Sequence, residues 1–260
     1  SVPQHNPVVK SGPSRRHEIL PASQGQLKMV VYEGMFAETV MFYGDSGDQI
    51  SGYLARPLGA GQYPCVIVLH EVFGLVPHIK EITRKMAGNG YIAIAPDLHH
   101  REGPGDPEDV AAVVREAGGN PDSRTVGDVE GAVSLLKSLP YSNDKVGIIG
   151  FCSGGRQTFL SACTIPSINA AVSCYGGRIV AGREDLNERQ PRAPIGLTSD
   201  LACPLLGLFG AEDSSPSPSH VQVIEQELKL HDKVYETYVY DNAGHAFFAD
   251  YRPSYRQHAS

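Results

Sequence analysis

The sequence predicts an α/β fold: a mostly parallel central sheet with an N-terminal antiparallel hairpin and helices on both faces. Three observations carry this. Apolar runs of strand length recur at residues 65–69, 91–95, 146–150, 168–174, 205–209 and 234–240. The first of them, Cys65-Val66-Ile67-Val68-Leu69, is continuous rather than alternating, as in a strand buried on both faces of a parallel sheet. Segments with helical spacing lie between the runs, and that alternation favours parallel strands joined by right-handed crossovers.

In chain order, residues 1–35 are rich in Pro, Ser, Gln and basic residues and have weak periodicity. They are expected to form an extended arm, with a short strand near 27–32, before one α/β domain over 36–260. Alternation begins at 38–43, Gly44-Asp45-Ser46-Gly47 supplies a turn, and 49–55 returns as the hairpin partner. Helical spacing over 78–87 ends at Gly90, a suitable C-cap. The strand over 91–95 stops at Pro96. Val129, Val133, Leu136 and Leu139 give one apolar helical face within 126–139. A helix is expected from Arg156, another around 220–230, and an irregular excursion over 176–200.

A chain of 260 residues suits one domain with a substantial core. At 41% hydrophobic and 20% charged, it is not a disordered chain. Its 22 Lys+Arg against 29 Asp+Glu give a net charge of -7, with no basic cluster beyond Arg15-Arg16, which excludes a nucleic-acid partner and favours a small molecule. No apolar run approaches the ~20 residues that span a bilayer, so no membrane partner is expected. A cytoplasmic location is expected, with an export leader removed before Ser1 left open, as is a homodimer. Cys65, Cys152, Cys163, Cys174 and Cys203 are scattered without a CxxC pair, unlike a zinc finger or a disulfide framework. All but Cys152 are expected to be small buried apolar residues.

Cys152 stands apart because of Gly150-Phe151-Cys152-Ser153-Gly154-Gly155, which follows an apolar strand and precedes a helix. Glycines two before and two after a nucleophile are the mark of the nucleophile elbow of α/β-hydrolases, here with Cys at the centre. The same segment matches neither the P-loop nor GxGxxG. A bland strand-to-helix turn with a core cysteine is the competing reading. A thiol nucleophile needs a base, and the base an orienting acid. Asn242-Ala243-Gly244-His245 puts a histidine after the last strand, and Asp213 follows the strand before it, with Glu212 and Asp241 as alternative acids. The order nucleophile, acid, histidine agrees with this fold, and all three fall at carboxyl ends of strands. Backbone N–H groups of Val72 and Ser153 are the expected oxyanion donors. His70-Glu71 lacks the second histidine of a zinc helix, and His99-His100 lack partners at ligand spacing, so no metal and no cofactor is expected.

These residues resemble the dienelactone hydrolase (carboxymethylenebutenolidase) family, through His70-Glu71-Val72-Phe73-Gly74, Ala95-Pro96-Asp97-Leu98, the Cys152 segment and Gly244-His245-Ala246-Phe247. The resemblance implies the α/β-hydrolase fold, a Cys152–His245–Asp213 triad, and a Glu, matched by Glu71, that holds the resting thiol and helps to generate the thiolate. It implies hydrolysis of a small ester or lactone through a thioacyl-enzyme. It also implies that Arg101 binds a substrate carboxylate, and Tyr175 is placed with it among the substrate-binding residues. The second arginine of that carboxylate clamp is replaced by Ala249, with Arg252 nearby. Residues 246–260 are too few for the usual closing helix, which leaves that face to the arm, to a partner subunit, or to chain beyond this sequence. The alternative is a non-hydrolytic relative that binds or cyclises a small acyl or polyketide-like ligand.

Overall fold

Strands Met35–Tyr43 (β1) and Gln49–Pro57 (β2) pair antiparallel, with Phe42 opposite Ile50, and form the expected hairpin. Its turn is one 3-10 turn, Asp45–Gly47, where Ser46 takes a left-handed φ of 55°. The computed structural model describes residues 34–260. The arm, and the strand expected near 27–32, therefore lie outside the described residues, except that β1 already begins at Met35.

From β2 onward the chain alternates. Tyr63–Leu69 (β3), Ile92–Pro96 (β4), Ser142–Phe151 (β5), Ala170–Cys174 (β6), Leu205–Gly210 (β7) and Tyr235–Tyr240 (β8) complete an eight-stranded sheet in the order β1-β2-β4-β3-β5-β6-β7-β8. Among the described residues only the β1–β2 and β2–β4 pairings are antiparallel. All five residues of β4 are buried, which is why its sequence runs apolar without alternation.

Helices Pro77–Gly88 (α1), Pro107–Glu116 (α2), Asp122–Ser138 (α3), Ser153–Thr164 (α4) and Pro218–Leu230 (α5) connect the strands. Gly90, at φ 89°, ends α1 as expected. The spacing missed α2. Its apolar face is only Ala111 and Val114, but Asp106 caps it by accepting from the Glu108 N–H at 3.0 Å, and Pro107 sits in its first turn. α3 begins at Asp122 and α4 at Ser153, each a few residues earlier than the apolar periodicity indicated, because polar first turns carry no such signal.

The core divides between the sheet's two faces. Val129, Val133 and Leu136 of α3, Phe159 and Ala162 of α4, and Val221, Ile224 and Leu228 of α5 share one cluster. Ile79 and Ile82 of α1 share the other with Ala243, Ala246, Phe247, Ala249 and Ala259. Residues between 243 and 259 thus pack on this face beside α1. The Arg256 N–H donates to the Phe247 carbonyl at 2.8 Å, His258 reaches the Asp241 carbonyl, and Ala259 is buried. Residues 176–200 run irregularly, with short 3-10 turns at Arg183–Asp185 and Pro194–Asp200.

Candidate active site

Cys152 lies between β5 and α4 with φ 55° and ψ -116°. A non-glycine residue held there is strained, and such strain persists only where neighbours over-determine it. The neighbours do so here. A β-carbon on Gly150 would run into the Gly154 carbonyl, and one on Gly154 would run into the Leu69 and His70 carbonyls. The Cys152 N–H donates to the Cys174 carbonyl at 3.1 Å, and the Cys152 carbonyl accepts from Gly155 and Arg156. The strand ends are packed so tightly that the side chain at 152 projects above the first turn of α4.

His245 follows β8 in the loop that packs on the end of β7, where the Glu212 N–H donates to the Ala243 carbonyl at 2.9 Å. Its Nε2 is 3.0 Å from Cys152 Sγ, and its Nδ1 is 2.8 Å from Asp213 Oδ2. Asp213 is buried and its other oxygen accepts from the Ser215 N–H at 2.8 Å, whereas Glu212 and Asp241 are exposed. Burial disfavours the imidazolium, but the hydrogen bonds to Asp213 and Cys152 outweigh it and push the His245 pKa up to about 10. A protonated imidazole beside sulfur stabilises negative charge on it.

Cys152, His245 and Asp213 open on a cavity of about 560 Å³, lined also by Val72 and Ser153. Ser153 is the first residue of α4, so its N–H has no acceptor within the helix. Glu71 is buried, and its carboxylate accepts from the Tyr251 hydroxyl at 3.0 Å, while the sulfur of Cys152 has His245 as its hydrogen-bond partner.

Two expected substrate-binding residues are placed elsewhere. The Arg101 guanidinium grips Asp128 through Nη1 and Nη2 at 2.9 and 3.0 Å, and Asp48 through Nε at 2.8 Å. Arg101 does not line the cavity. It ties the β1–β2 turn to α3, since Asp128 also accepts from the Asp45 N–H. Because the Asp128 side chain is only 1% exposed, Arg101→Met should strand a buried carboxylate. Thermal unfolding should register a loss of roughly 3 kcal/mol, with KM for a carboxylate-bearing substrate little changed. Tyr175 is fully buried at φ 39°, and its ring packs edge-on against His245 at 5.3 Å between centroids, so it buttresses the histidine from behind.

The cavity is also lined by residues that sequence reasoning did not assign to it. Arg178 reaches it from the irregular 176–200 stretch, and no pattern there marks it. Gln157 lies one turn beyond the elbow on α4, where its position after Cys152 was a usable signal. His99 also lines the cavity. Burial, reinforced by His70 and Arg124, pushes its pKa down to about 2. His70 has both ring nitrogens engaged, by the Glu71 carbonyl at 2.6 Å and the Leu98 N–H at 3.1 Å. Among the described residues no group of three or more His, Cys, Asp or Glu could hold a metal ion. The other four cysteines are buried and unpaired. No described helix is long and apolar enough to cross a membrane.

The dienelactone hydrolase family model matches residues 50–260. A protein of Salmonella typhimurium named "Putative carboxymethylenebutenolidase" is 38% identical over 230 residues, covering 86% of this chain and 83% of its own. Its namesake from Escherichia coli K12 is 41% identical over 214 residues, covering 80% and 77%. A crystal structure titled as a putative dienelactone hydrolase from Klebsiella pneumoniae superposes with a TM-score of 0.80 at 35% identity, over 87% of this chain and 93% of that one. With the elbow, the strand order and these likenesses together, the chain belongs to the dienelactone hydrolase family.

Proposed function

We propose that this hydrolase cleaves a small ester or lactone with Cys152 as nucleophile, His245 as acid and base, and Asp213 as the group that orients His245. The observation that carries the reading is the continuous contact from sulfur to imidazole to buried carboxylate, at 3.0 and 2.8 Å. The Cys152 thiolate attacks the carbonyl carbon, and the N–H groups of Val72 and Ser153 receive the oxyanion. As the tetrahedral adduct collapses, the C–O bond breaks and the leaving oxygen takes the proton from the His245 imidazolium. A thioester remains on Cys152. Neutral His245 then removes a proton from water, hydroxide adds to the thioester, and C–S cleavage returns the thiolate. Glu71, next to Val72 in sequence and hydrogen-bonded by the Tyr251 hydroxyl, acts as a positioning residue for this site.

For a substrate carboxylate, Arg178 takes the place that Arg101 does not fill. Its guanidinium lines the cavity and bonds a backbone carbonyl, that of Asp185, rather than a carboxylate. Arg178→Met should raise KM for a carboxylate-bearing lactone about tenfold and leave a neutral lactone near its wild-type value, as steady-state kinetics on the pair would show.

The direct test of the mechanism is rapid quenching with p-nitrophenyl acetate followed by mass spectrometry of the digested protein. An acetyl group on the peptide containing Cys152 supports the reading. Turnover with no acyl adduct on that peptide, or with the adduct elsewhere, overturns it.

A further inference from the structure

Nine buried side-chain nitrogen or oxygen atoms have no hydrogen-bond partner among the described residues, and four of them belong to residues lining the cavity: His99, Arg156, Gln157 and Arg178. Buried polar groups are nearly always paired, so the concentration of unpaired ones around this cavity points to a group brought in by a ligand. The four are not equivalent. The Arg156 guanidinium is held by both oxygens of Asp122, at 2.6 and 3.0 Å. Arg178 lines the cavity and is assigned above to a substrate carboxylate. Gln190, the other glutamine lining the cavity, donates to the Asn120 carbonyl at 3.2 Å. Gln157 is different: it is 4% exposed, its Oε1 has no partner, and no side-chain hydrogen bond engages its amide. His99 is likewise 4% exposed with Nδ1 unpartnered, its ring edge-on to His70 at 4.7 Å.

An amide and a neutral imidazole each offer a donor and an acceptor. Neither calls for an anion, and an apolar acyl chain laid against them would leave both unsatisfied. The complementary group is one that donates and accepts at a single atom, which is a hydroxyl. We propose that this part of the cavity is a hydroxyl-recognition subsite in which Gln157, supported by His99, selects acyl groups bearing a hydroxyl over otherwise identical plain ones. The proposal rests on the hydrolase reading for its route to a substrate, and it adds the substrate's distinguishing group.

The test compares kcat/KM for p-nitrophenyl butyrate with that for its 2-hydroxy and 3-hydroxy analogues. Wild type should prefer one hydroxylated ester by at least about tenfold, since a site built around a hydroxyl rejects the analogue that lacks it. In Gln157→Leu that ratio should collapse towards one, and in Gln157→Glu, which keeps an acceptor oxygen, it should persist. A wild-type ratio at or below one for both analogues overturns the subsite without any variant. An equal loss on all three esters in Gln157→Leu overturns it too. Failure of the hydrolase reading shows separately, as absence of Cys152-dependent turnover on every ester. In that event the subsite is read by binding, as the NMR-titrated Kd of hydroxybutyramides against butyramide on Cys152→Ala, and equal values overturn it.

Discussion

Cys152→Ala is expected to lower kcat for p-nitrophenyl acetate by about 10⁴- to 10⁶-fold while KM changes little, because the nucleophile acts in the bond-making step. The size follows from interdependence. Without sulfur, the proton store on His245 and the donors at Val72 and Ser153 have no covalent intermediate to serve, and what remains is weak orientation of water. A companion measurement needs no substrate. Iodoacetamide at neutral pH should label Cys152 alone among the five cysteines, because the other four are buried and Cys152 opens on the cavity. Burial also pushes the Cys163 thiol up to about 12, which removes it as a competitor. Labelling spread over several cysteines, or a fully active alanine variant, would sink the nucleophile assignment.

Asp213→Asn is expected to cost about 10³- to 10⁴-fold in kcat and to move the pH profile in a defined direction. In wild type the His245 imidazolium persists to about pH 10, so the basic limb of kcat/KM should fall there, where the acid that protonates the leaving oxygen is lost. The hydrogen bond from His245 to Asp213 is one of the causes that raise that value. Removing the charge leaves burial, which lowers it, less opposed. The basic limb of the variant should therefore move to lower pH. The same shift has a stability consequence. His245 is raised above its ordinary 6.5, so its contribution is fully present below about pH 6.5 and is lost as pH rises towards 10. Melting curves across that window should show a decline in wild type that is shallower in Asp213→Asn. An unmoved basic limb in the variant would show that Asp213 does not govern His245.

Features governed by short-range rules were legible in the order of residues. The continuous apolar run at Cys65–Leu69 announced a strand buried on both faces because a parallel sheet exposes neither face. The Gly150, Cys152, Gly154 spacing announced the elbow because backbone carbonyls crowd both glycines and leave no room for β-carbons. Tertiary structure alone decided which charges meet. Asp213 rather than Glu212 or Asp241 faces His245, since Asp213 is buried after β7 whereas Glu212 beside it and Asp241 after β8 are exposed. Arg101 is claimed by Asp128, a residue of α3 27 positions further along, and no local pattern records that encounter. Arg178 reaches the cavity from an irregular stretch with no period to read. Backbone geometry is written in neighbouring residues, whereas the pairing of long polar side chains depends on what the fold brings near and shields from water.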